Sequence, residues 1–144
     1  MLIAVAGSHG LIGSALVASL TDAGHTVRRL VRHEPLSDDE FGWDPETLGV
    51  PTEALDGVDA VLADLDGVVY AGPGALPYAV DSLNRAGETR RLGYITNNAS
   101  RSAGQVADHL GELGFSAVPE DVVTSAQSAA RLLGEQLPGG AKVL

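Results

Sequence analysis

Short apolar runs alternate along the chain with longer segments in which apolar residues recur every three or four positions. A run that is apolar on both faces is typical of a buried strand in a parallel sheet, and the longer spacing is typical of helices packed on it. Strands are predicted at 2–6, 26–31, 58–65, 92–95 and 122–124. Helices are predicted at 11–20, 78–86, 102–113 and 125–137. This alternation predicts an α/β fold.

Local signals refine these elements. Gly24 and Gly114 end two helices, Ser125 is expected to cap the last one, and Trp43 is expected to pack in the core. Further short strands are expected at 41–45, closed by a proline, and at 141–144.

Right-handed crossovers and the order of the elements predict one doubly wound, Rossmann-like three-layer sandwich with a mostly parallel sheet. Since the strand at 58–65 serves both parts of the chain, residues 1–144 are expected to form one hybrid domain.

The composition of the chain argues against some classes of binding partner. The 144 residues carry a net charge of -10, and ten acids against three arginines fall within residues 1–60, which argues against nucleic acid or an anionic membrane as a partner. The absence of cysteine excludes a disulfide framework. No apolar run reaches membrane-spanning length and no basic leader precedes the first strand, so a soluble cytoplasmic protein is expected, in an oligomeric state that the sequence leaves open.

A glycine-rich turn follows the first strand and opens the first helix. Its glycines, Gly7, Gly10 and Gly13, suit a tight turn, a close approach of phosphate to the main chain, and close packing of helix on strand. The first helical residues, Leu11 and Ile12, would present free N–H groups to a pyrophosphate. The alternative is a tight turn that binds nothing.

The second predicted strand ends in Arg32. A site for NAD usually has an acid here to bind the adenosine ribose, whereas a guanidinium suits the 2′-phosphate of NADP. The residue type therefore favours NADP over NAD, and the alternative is that Arg32 is a solvated strand end.

Residues 1–61 resemble the N-terminal half of the short-chain dehydrogenase-like sugar epimerases. The resemblance rests on four segments: Gly7 to Leu16, Arg29 to Arg32, Trp43 to Pro45, and Gly57 to Val61. It implies an NAD(P)-binding half-domain. The catalytic Tyr-x-x-x-Lys pair of that family is absent, so the resemblance implies no epimerase or reductase site.

Carboxylates and amides follow two later strands. Asp64 could attack a phosphoryl group to give an aspartyl-phosphate, and Asp66 could protonate the leaving alcohol and then activate water. Mg²⁺ held by Asp64 and Asp66 would offset the charge of carboxylates and phosphate. Thr96 and Asn97 could hold the phosphate oxygens. The alternative is an acidic turn at a strand end.

Residues 62–144 resemble the haloacid dehalogenase superfamily, in its p-nitrophenylphosphatase and glycerol-3-phosphate phosphatase branch. The resemblance rests on Asp64 to Tyr70, Ile95 to Arg101, and Glu120 to Ala126. It implies a Mg²⁺-dependent phosphatase that acts on a small phosphorylated molecule, with a flap over the site at 72–77. The family's cap domain, lysine and further acidic pair are not found in this sequence, so weak activity or none is expected.

Together the two resemblances imply the strand order, since 58–65 serves as a strand of both folds. The order is the second strand, the first strand, the strand that ends in Asp64, the strand that ends in Thr96, and 122–124 at the edge.

Three functions fit this sequence: a phosphatase core with little residual activity, an NAD(P)-binding module, and an inactive chimeric scaffold. Three origins fit it as well, namely a deliberate chimera, a natural fusion and a truncated reading frame.

Overall fold

The protein is described here by a computed structural model, which covers residues 1–142. Within these residues eight strands form, at Leu2–Ala6 (β1), Thr26–Val31 (β2), Glu40–Gly42 (β3), Ala60–Asp64 (β4), Tyr70–Ala71 (β5), Gly74–Ala75 (β6), Arg91–Thr96 (β7) and Val122–Thr124 (β8). Helices form at Leu11–Asp22 (α1), Thr52–Leu55 (α2), Ala79–Gly87 (α3), Ala103–Glu112 (α4) and Ser125–Gln136 (α5). None of them is long and apolar enough to cross a membrane.

The main sheet has six strands in the order β3-β2-β1-β4-β7-β8, and every pairing in it is parallel. The predicted α/β sandwich and its strand order are confirmed, with β3 as a sixth strand beside β2. The chain winds from β1 towards β3 on one side and from β4 towards β8 on the other. The topological switch point therefore lies between β1 and β4, where α/β sheets bind their ligands.

The strand β4 joins the two parts of the chain. It pairs with β1 from Ile3↔Ala60 to Ala6↔Ala63 and with β7 from Ala60↔Arg91 to Asp64↔Ile95. Its central position explains why its sequence is apolar on both faces, because helices or neighbouring strands surround it.

The larger core contains residues from both parts of the chain. Trp43, which is 2% exposed, and Ala54 pack in the same cluster as Leu83 and Leu110. Hydrogen bonds also join the two parts of the chain, since the Arg90 guanidinium donates two hydrogen bonds to the Leu55 carbonyl oxygen, at 3.2 and 2.9 Å. The main sheet and the larger core are thus both built from residues on both sides of residue 61.

Three local features differ from the expectations. The segment expected as a loop over 72–77 contributes β6 to a small antiparallel hairpin with β5, and the short helix α2 was not predicted. The cap of α5 is Thr124 rather than Ser125, because the Thr124 hydroxyl accepts from the Gln127 N–H at 3.2 Å while the Gln127 side chain accepts from the Thr124 N–H at 2.9 Å.

The strand expected at 141–144 does not begin within the described residues. Residues 141 and 142 have no regular structure, and Val143 and Leu144 lie outside the described part of the chain.

Candidate active site

A cavity of about 320 Å³ opens at the switch point, at the carboxyl edge of the sheet. Three strand ends contribute to its wall. The turn after β1 supplies Gly7 and Gly10, the end of β2 supplies Arg32, and the end of β4 supplies Asp64 and Asp66. The sheet therefore brings most of the predicted catalytic and cofactor-binding residues to one place.

The turn after β4 holds the two aspartates on the cavity wall. The Leu65 carbonyl oxygen accepts hydrogen bonds from the N–H groups of Val68 and Val69, at 3.2 and 2.9 Å. Gly67 has a backbone φ of 74°, which residues with a Cβ rarely adopt. Its N–H donates to the Tyr70 carbonyl oxygen at 2.8 Å. Since the Leu65 side chain is fully buried, it anchors the turn between the two carboxylates.

Asp64 is half-buried, whereas Asp66 is exposed. Burial raises the pKa of the Asp64 carboxyl, and the negative charge of Asp66 raises it further. A hydrogen bond from the Leu65 N–H to Asp64 Oδ1, at 2.8 Å, acts in the opposite direction and lowers this pKa. The net rise means that the carboxylate form of Asp64 is less stable here than in water.

The glycine turn packs directly against Asp64. Gly7 has a φ of 81°, and a Cβ placed on it would lie 2.7 Å from the Asp64 Cβ. A Cβ on Gly13 would collide with the Gly7 carbonyl group, so the start of α1 can approach the turn only without a side chain there. Gly10 is the N-cap of α1 and offers no capping side chain, which leaves the first turn of the helix without a side-chain cap.

The other predicted cofactor contacts are less direct. Leu11 is 84% exposed and Gly13 is buried in the packing between helix and turn. Ile12 lines a different pocket, on the side of β7 and β8. Of the predicted cofactor-binding residues, Gly7, Gly10 and Arg32 line the cavity.

Arg32 connects the two parts of the chain at this cavity. Its guanidinium donates a hydrogen bond to the Gly67 carbonyl oxygen in the aspartate turn. It also pairs with Asp44 at 4.0 Å and with Glu46 at 3.8 Å. Arg32 therefore lies on the cavity wall, but its charge is shared with two carboxylates.

The predicted phosphate ligands lie one strand away from the cavity. Thr96 is 2% exposed, its hydroxyl accepts from the Asn98 N–H at 3.1 Å, and it lines a separate pocket of about 280 Å³ with Thr124. Asn97 is exposed, and its carbonyl oxygen accepts from the Ser125 hydroxyl at 2.9 Å. Neither residue belongs to the wall that carries Asp64 and Asp66.

Two histidines on the cavity wall were not predicted as site residues. His9 lies in the glycine turn and His33 follows β2. The carboxyl ends of neighbouring parallel strands meet at one edge of the sheet. The positions of both histidines just after β1 and β2 could therefore have indicated that they lie at the site.

Comparison with known proteins separates the same two parts of the chain. Residues 61–144 match the family of haloacid dehalogenase-like hydrolases, which covers more than half of the sequence. The chain belongs to this family. Its predicted resemblance to phosphatases of the haloacid dehalogenase superfamily is confirmed.

Individual relatives agree with this division. The chain is 58% identical over 86 residues to D-glycerol 3-phosphate phosphatase of Mycobacterium tuberculosis, a match that covers 60% of this chain and 24% of that protein. It is 51% identical over 61 residues to an epimerase family protein of Mycobacterium bovis, which covers 42% of this chain and 20% of that protein. The chain thus spans about a quarter or less of the length of these relatives.

A solved structure matches the phosphatase-like part. The crystal structure of glycerol phosphate phosphatase from Mycobacterium tuberculosis in complex with magnesium aligns with a TM-score of 0.54 and 57% identity, over 58% of this chain and 25% of that chain. The predicted resemblance of this chain to two families, an epimerase family and a phosphatase family, is therefore confirmed.

Proposed function

We propose that this chain is a phosphatase core that hydrolyses small phosphomonoesters slowly, with Asp64 as the nucleophile. The observation that carries the proposal is the presence of Asp64 and Asp66 on the wall of one cavity of about 320 Å³ at the switch point. The family of haloacid dehalogenase-like hydrolases and the similarity to a glycerol phosphate phosphatase support the same reaction class.

The two aspartates take different roles in this reaction. An Asp64 carboxylate oxygen forms a bond to phosphorus while the ester P–O bond breaks, and Asp66 gives its proton to the departing alkoxide. Asp66 then takes a proton from a water molecule whose oxygen attacks the aspartyl-phosphate. This second step regenerates the Asp64 carboxylate and releases inorganic phosphate. Partial burial suits Asp64 for this role, because a carboxylate that is poorly solvated is a stronger nucleophile.

The residues at this wall fit a bound Mg²⁺. Their donors are oxygen atoms, which Mg²⁺ prefers, and a bound cation would offset the burial and the negative charge of Asp66 that raise the pKa of Asp64. The Asp64 carboxylate and the backbone carbonyl of Asp66 would hold the ion. When bound, it would neutralise part of the charge on the carboxylates and the phosphate.

Slow turnover follows from what surrounds the aspartates. Arg32 is paired with Asp44 and Glu46, and Thr96 lies outside the cavity wall, so few groups are placed to stabilise the charge of the transferring phosphoryl group. Loss of one such group costs about 10² to 10³ in rate.

The test is hydrolysis of p-nitrophenyl phosphate with and without Mg²⁺. We expect slow release of nitrophenol that requires Mg²⁺ and falls to background in Asp64→Asn, because an amide cannot form the aspartyl-phosphate. The matched control is Asp108→Asn, which removes an exposed aspartate on α4. Equal turnover in the parent and Asp64→Asn, or a rate comparable with that of a complete phosphatase, would contradict the proposal.

A second candidate function is binding of NADP or NAD. It is favoured by the close approach of α1 to the turn at Gly7 and Gly13, and by the uncapped start of that helix. Calorimetric titration with both dinucleotides tests it, since the presence of Arg32 favours NADP and its existing ion pairs weaken that preference. A chain that neither hydrolyses phosphomonoesters nor binds dinucleotides would be the inactive scaffold.

A further inference from the structure

We propose that His9, His33 and Glu40 form a binding site for a divalent transition metal ion, with Zn²⁺ as the best-suited ion. One possible ligand atom from each of these side chains lies within 4.8 Å of the other two. Among the described residues 1–142, this is the one group of three or more such side chains that meets this criterion. It lies at the rim of the cavity, since His9 and His33 line the wall.

The sheet brings these three residues together from separate elements. His9 lies in the turn after β1, His33 follows β2, and Glu40 is the first residue of β3. The strands β1, β2 and β3 are neighbours in the sheet, so the backbone fixes the separation of the three side chains. A site built in this way exists only in the folded chain.

Glu40 is the fixed ligand of the proposed site. Its side chain is 5% exposed, and Oε2 accepts a hydrogen bond from the Leu36 N–H at 2.9 Å. His9 Nε2 lies 3.5 Å from Oε1, and His33 Nδ1 lies 4.0 Å from Oε2. A buried carboxylate is unfavourable unless positive charge compensates it, and a bound cation would supply that charge.

The two histidines are the adjustable ligands. Both are exposed, and their rings meet edge to face with centroids 5.2 Å apart. A tetrahedral Zn²⁺ with bonds of about 2.0 to 2.1 Å needs ligand atoms about 3.3 Å apart, so rotation of two surface side chains towards Glu40 completes the geometry.

Nδ1 of each ring already has a partner, and in His33 this is also the nitrogen that lies 4.0 Å from Glu40 Oε2, so the exposed His33 ring must rotate to bring Nε2 to the metal ion. His9 Nδ1 lies 3.2 Å from the Ser8 hydroxyl, and His33 Nδ1 lies 2.9 Å from the Glu34 carbonyl oxygen. Donation from Nδ1 to that carbonyl leaves the lone pair of His33 on Nε2. Such partners commonly orient histidine ligands of metal ions.

Ligand chemistry selects the type of ion. Imidazole nitrogen suits Zn²⁺, Co²⁺, Ni²⁺ and Cu²⁺, whereas Mg²⁺ prefers oxygen donors. Two histidines and one glutamate form a known ligand set for Zn²⁺ with one coordination position left for another ligand. The proposed site therefore differs in ion preference from the oxygen donors of Asp64 and Asp66.

The test uses the complete chain after treatment with a chelator, with ZnCl₂ titrated calorimetrically and CoCl₂ titrated by visible absorption. We expect one equivalent of Zn²⁺ to bind, and Co²⁺ to give the absorption bands of a four- or five-coordinate ion. His9→Gln, His33→Gln and Glu40→Gln should each weaken Zn²⁺ binding at least about tenfold. Loss of a residue that only hydrogen-bonds to a metal ligand already lowers metal affinity about 10- to 100-fold. Glu40→Gln retains an oxygen that can accept from the Leu36 N–H.

The chain offers matched controls. His25→Gln and His109→Gln remove its other two histidines, neither of which lines the cavity. Both should leave Zn²⁺ affinity unchanged, and MgCl₂ should not compete. Absence of stoichiometric Zn²⁺ binding, or equal loss in the control variants, would overturn the proposal. If Glu40→Gln unfolds by circular dichroism, the two histidine variants decide the outcome.

Discussion

The strands β1 and β4 lie side by side and point in the same direction, but the turns that follow them have opposite electrostatic character. Ala6 pairs with Ala63, so the two turns start at the same height on the sheet. The turn after β1 is glycine-rich and leads into a helix N-terminus, which attracts anions. The turn after β4 carries Asp64 and Asp66, which repel anions and attract cations. The sheet thus determines where a site forms, and the few residues after each strand determine its chemistry.

The two turns are also physically coupled. Gly7 contacts Asp64 so closely that a Cβ on Gly7 would lie 2.7 Å from the Asp64 Cβ, and Arg32 from β2 donates to the Gly67 carbonyl oxygen in the aspartate turn. A change at one turn is therefore expected to alter the other, and the following variants test that coupling.

The largest expected effect is loss of the fold when the two parts are separated. We propose that residues 1–144 form one cooperative unit, because β4 pairs with β1 on one side and β7 on the other. The complete chain should unfold in one urea transition by both circular dichroism and tryptophan fluorescence. Fragments 1–61 and 62–144 should each be unfolded. Proteolysis near residue 60 that leaves two folded fragments would contradict this proposal.

Substitution of Asp66→Asn should reduce phosphatase turnover by about 10² to 10³, since general acid catalysis contributes about 10² to 10⁴. The loss should be larger for an alkyl phosphate, whose alcohol is a poor leaving group, than for p-nitrophenyl phosphate. The measurement is the ratio of kcat for the two substrates in parent and variant. The same fractional loss for both substrates would rule out Asp66 as the acid.

Substitution of Gly13→Ala should lower the free energy of unfolding by about 3 kcal/mol, because the added Cβ collides with the Gly7 carbonyl group. The matched control is Gly111→Ala in α4, where an added Cβ meets nothing within 4 Å. This control should raise stability by up to about 1 kcal/mol, through helix propensity. Urea unfolding measures both values, and a Gly13→Ala variant as stable as the control would show that α1 does not pack closely against the turn.

Substitution of Asp64→Asn should raise the free energy of unfolding at neutral pH, by less than the change expected for Gly13→Ala, because Asp64 is only half-buried. Burial raises the folded-state pKa of Asp64, so the parent is penalised while this group is ionised. The advantage of the variant should be complete above the folded-state pKa and disappear as pH falls below the ordinary pKa of an aspartate. Urea unfolding of both proteins from acidic to neutral pH measures this difference in stability. A stability advantage of the variant that grows towards acid pH would mean that the pKa of Asp64 is lowered rather than raised.

The elements that follow local rules could be predicted from sequence. Strand and helix periodicity predicts β1, α1, β2 and β4, and parallel topology predicts that the Gly7 turn lies beside Asp64. These features depend on which residues are buried and on the order of the elements along the chain, and both can be recognised in the sequence.

Contacts between distant loops could not be predicted in the same way. The partners of Arg32 come from a loop at 44–46 and a turn at 67, and Glu40 reaches His9 only through the pairing of β3 with β2. Thr96 lies at a strand end as predicted, but its hydroxyl accepts from the Asn98 N–H and it lines a different pocket from Asp64. Such contacts depend on how distant loops and strand ends are placed in the folded chain, which residue types alone do not indicate.

The most direct test of the shared cavity is titration of the chain with NADP at low salt, compared with the Asp64→Asn/Asp66→Asn double variant. If the glycine turn and the aspartate turn face one cavity, loss of both carboxylates should tighten NADP binding about tenfold, or about 1.4 kcal/mol. One unscreened pair of charges at about 6 Å would cost up to about 3 kcal/mol, and the exposure of Asp66 reduces this effect. Mg²⁺ should tighten binding to the parent and have no effect on the double variant. Equally tight binding by both proteins, unaltered by Mg²⁺, would show that the two turns form separate sites.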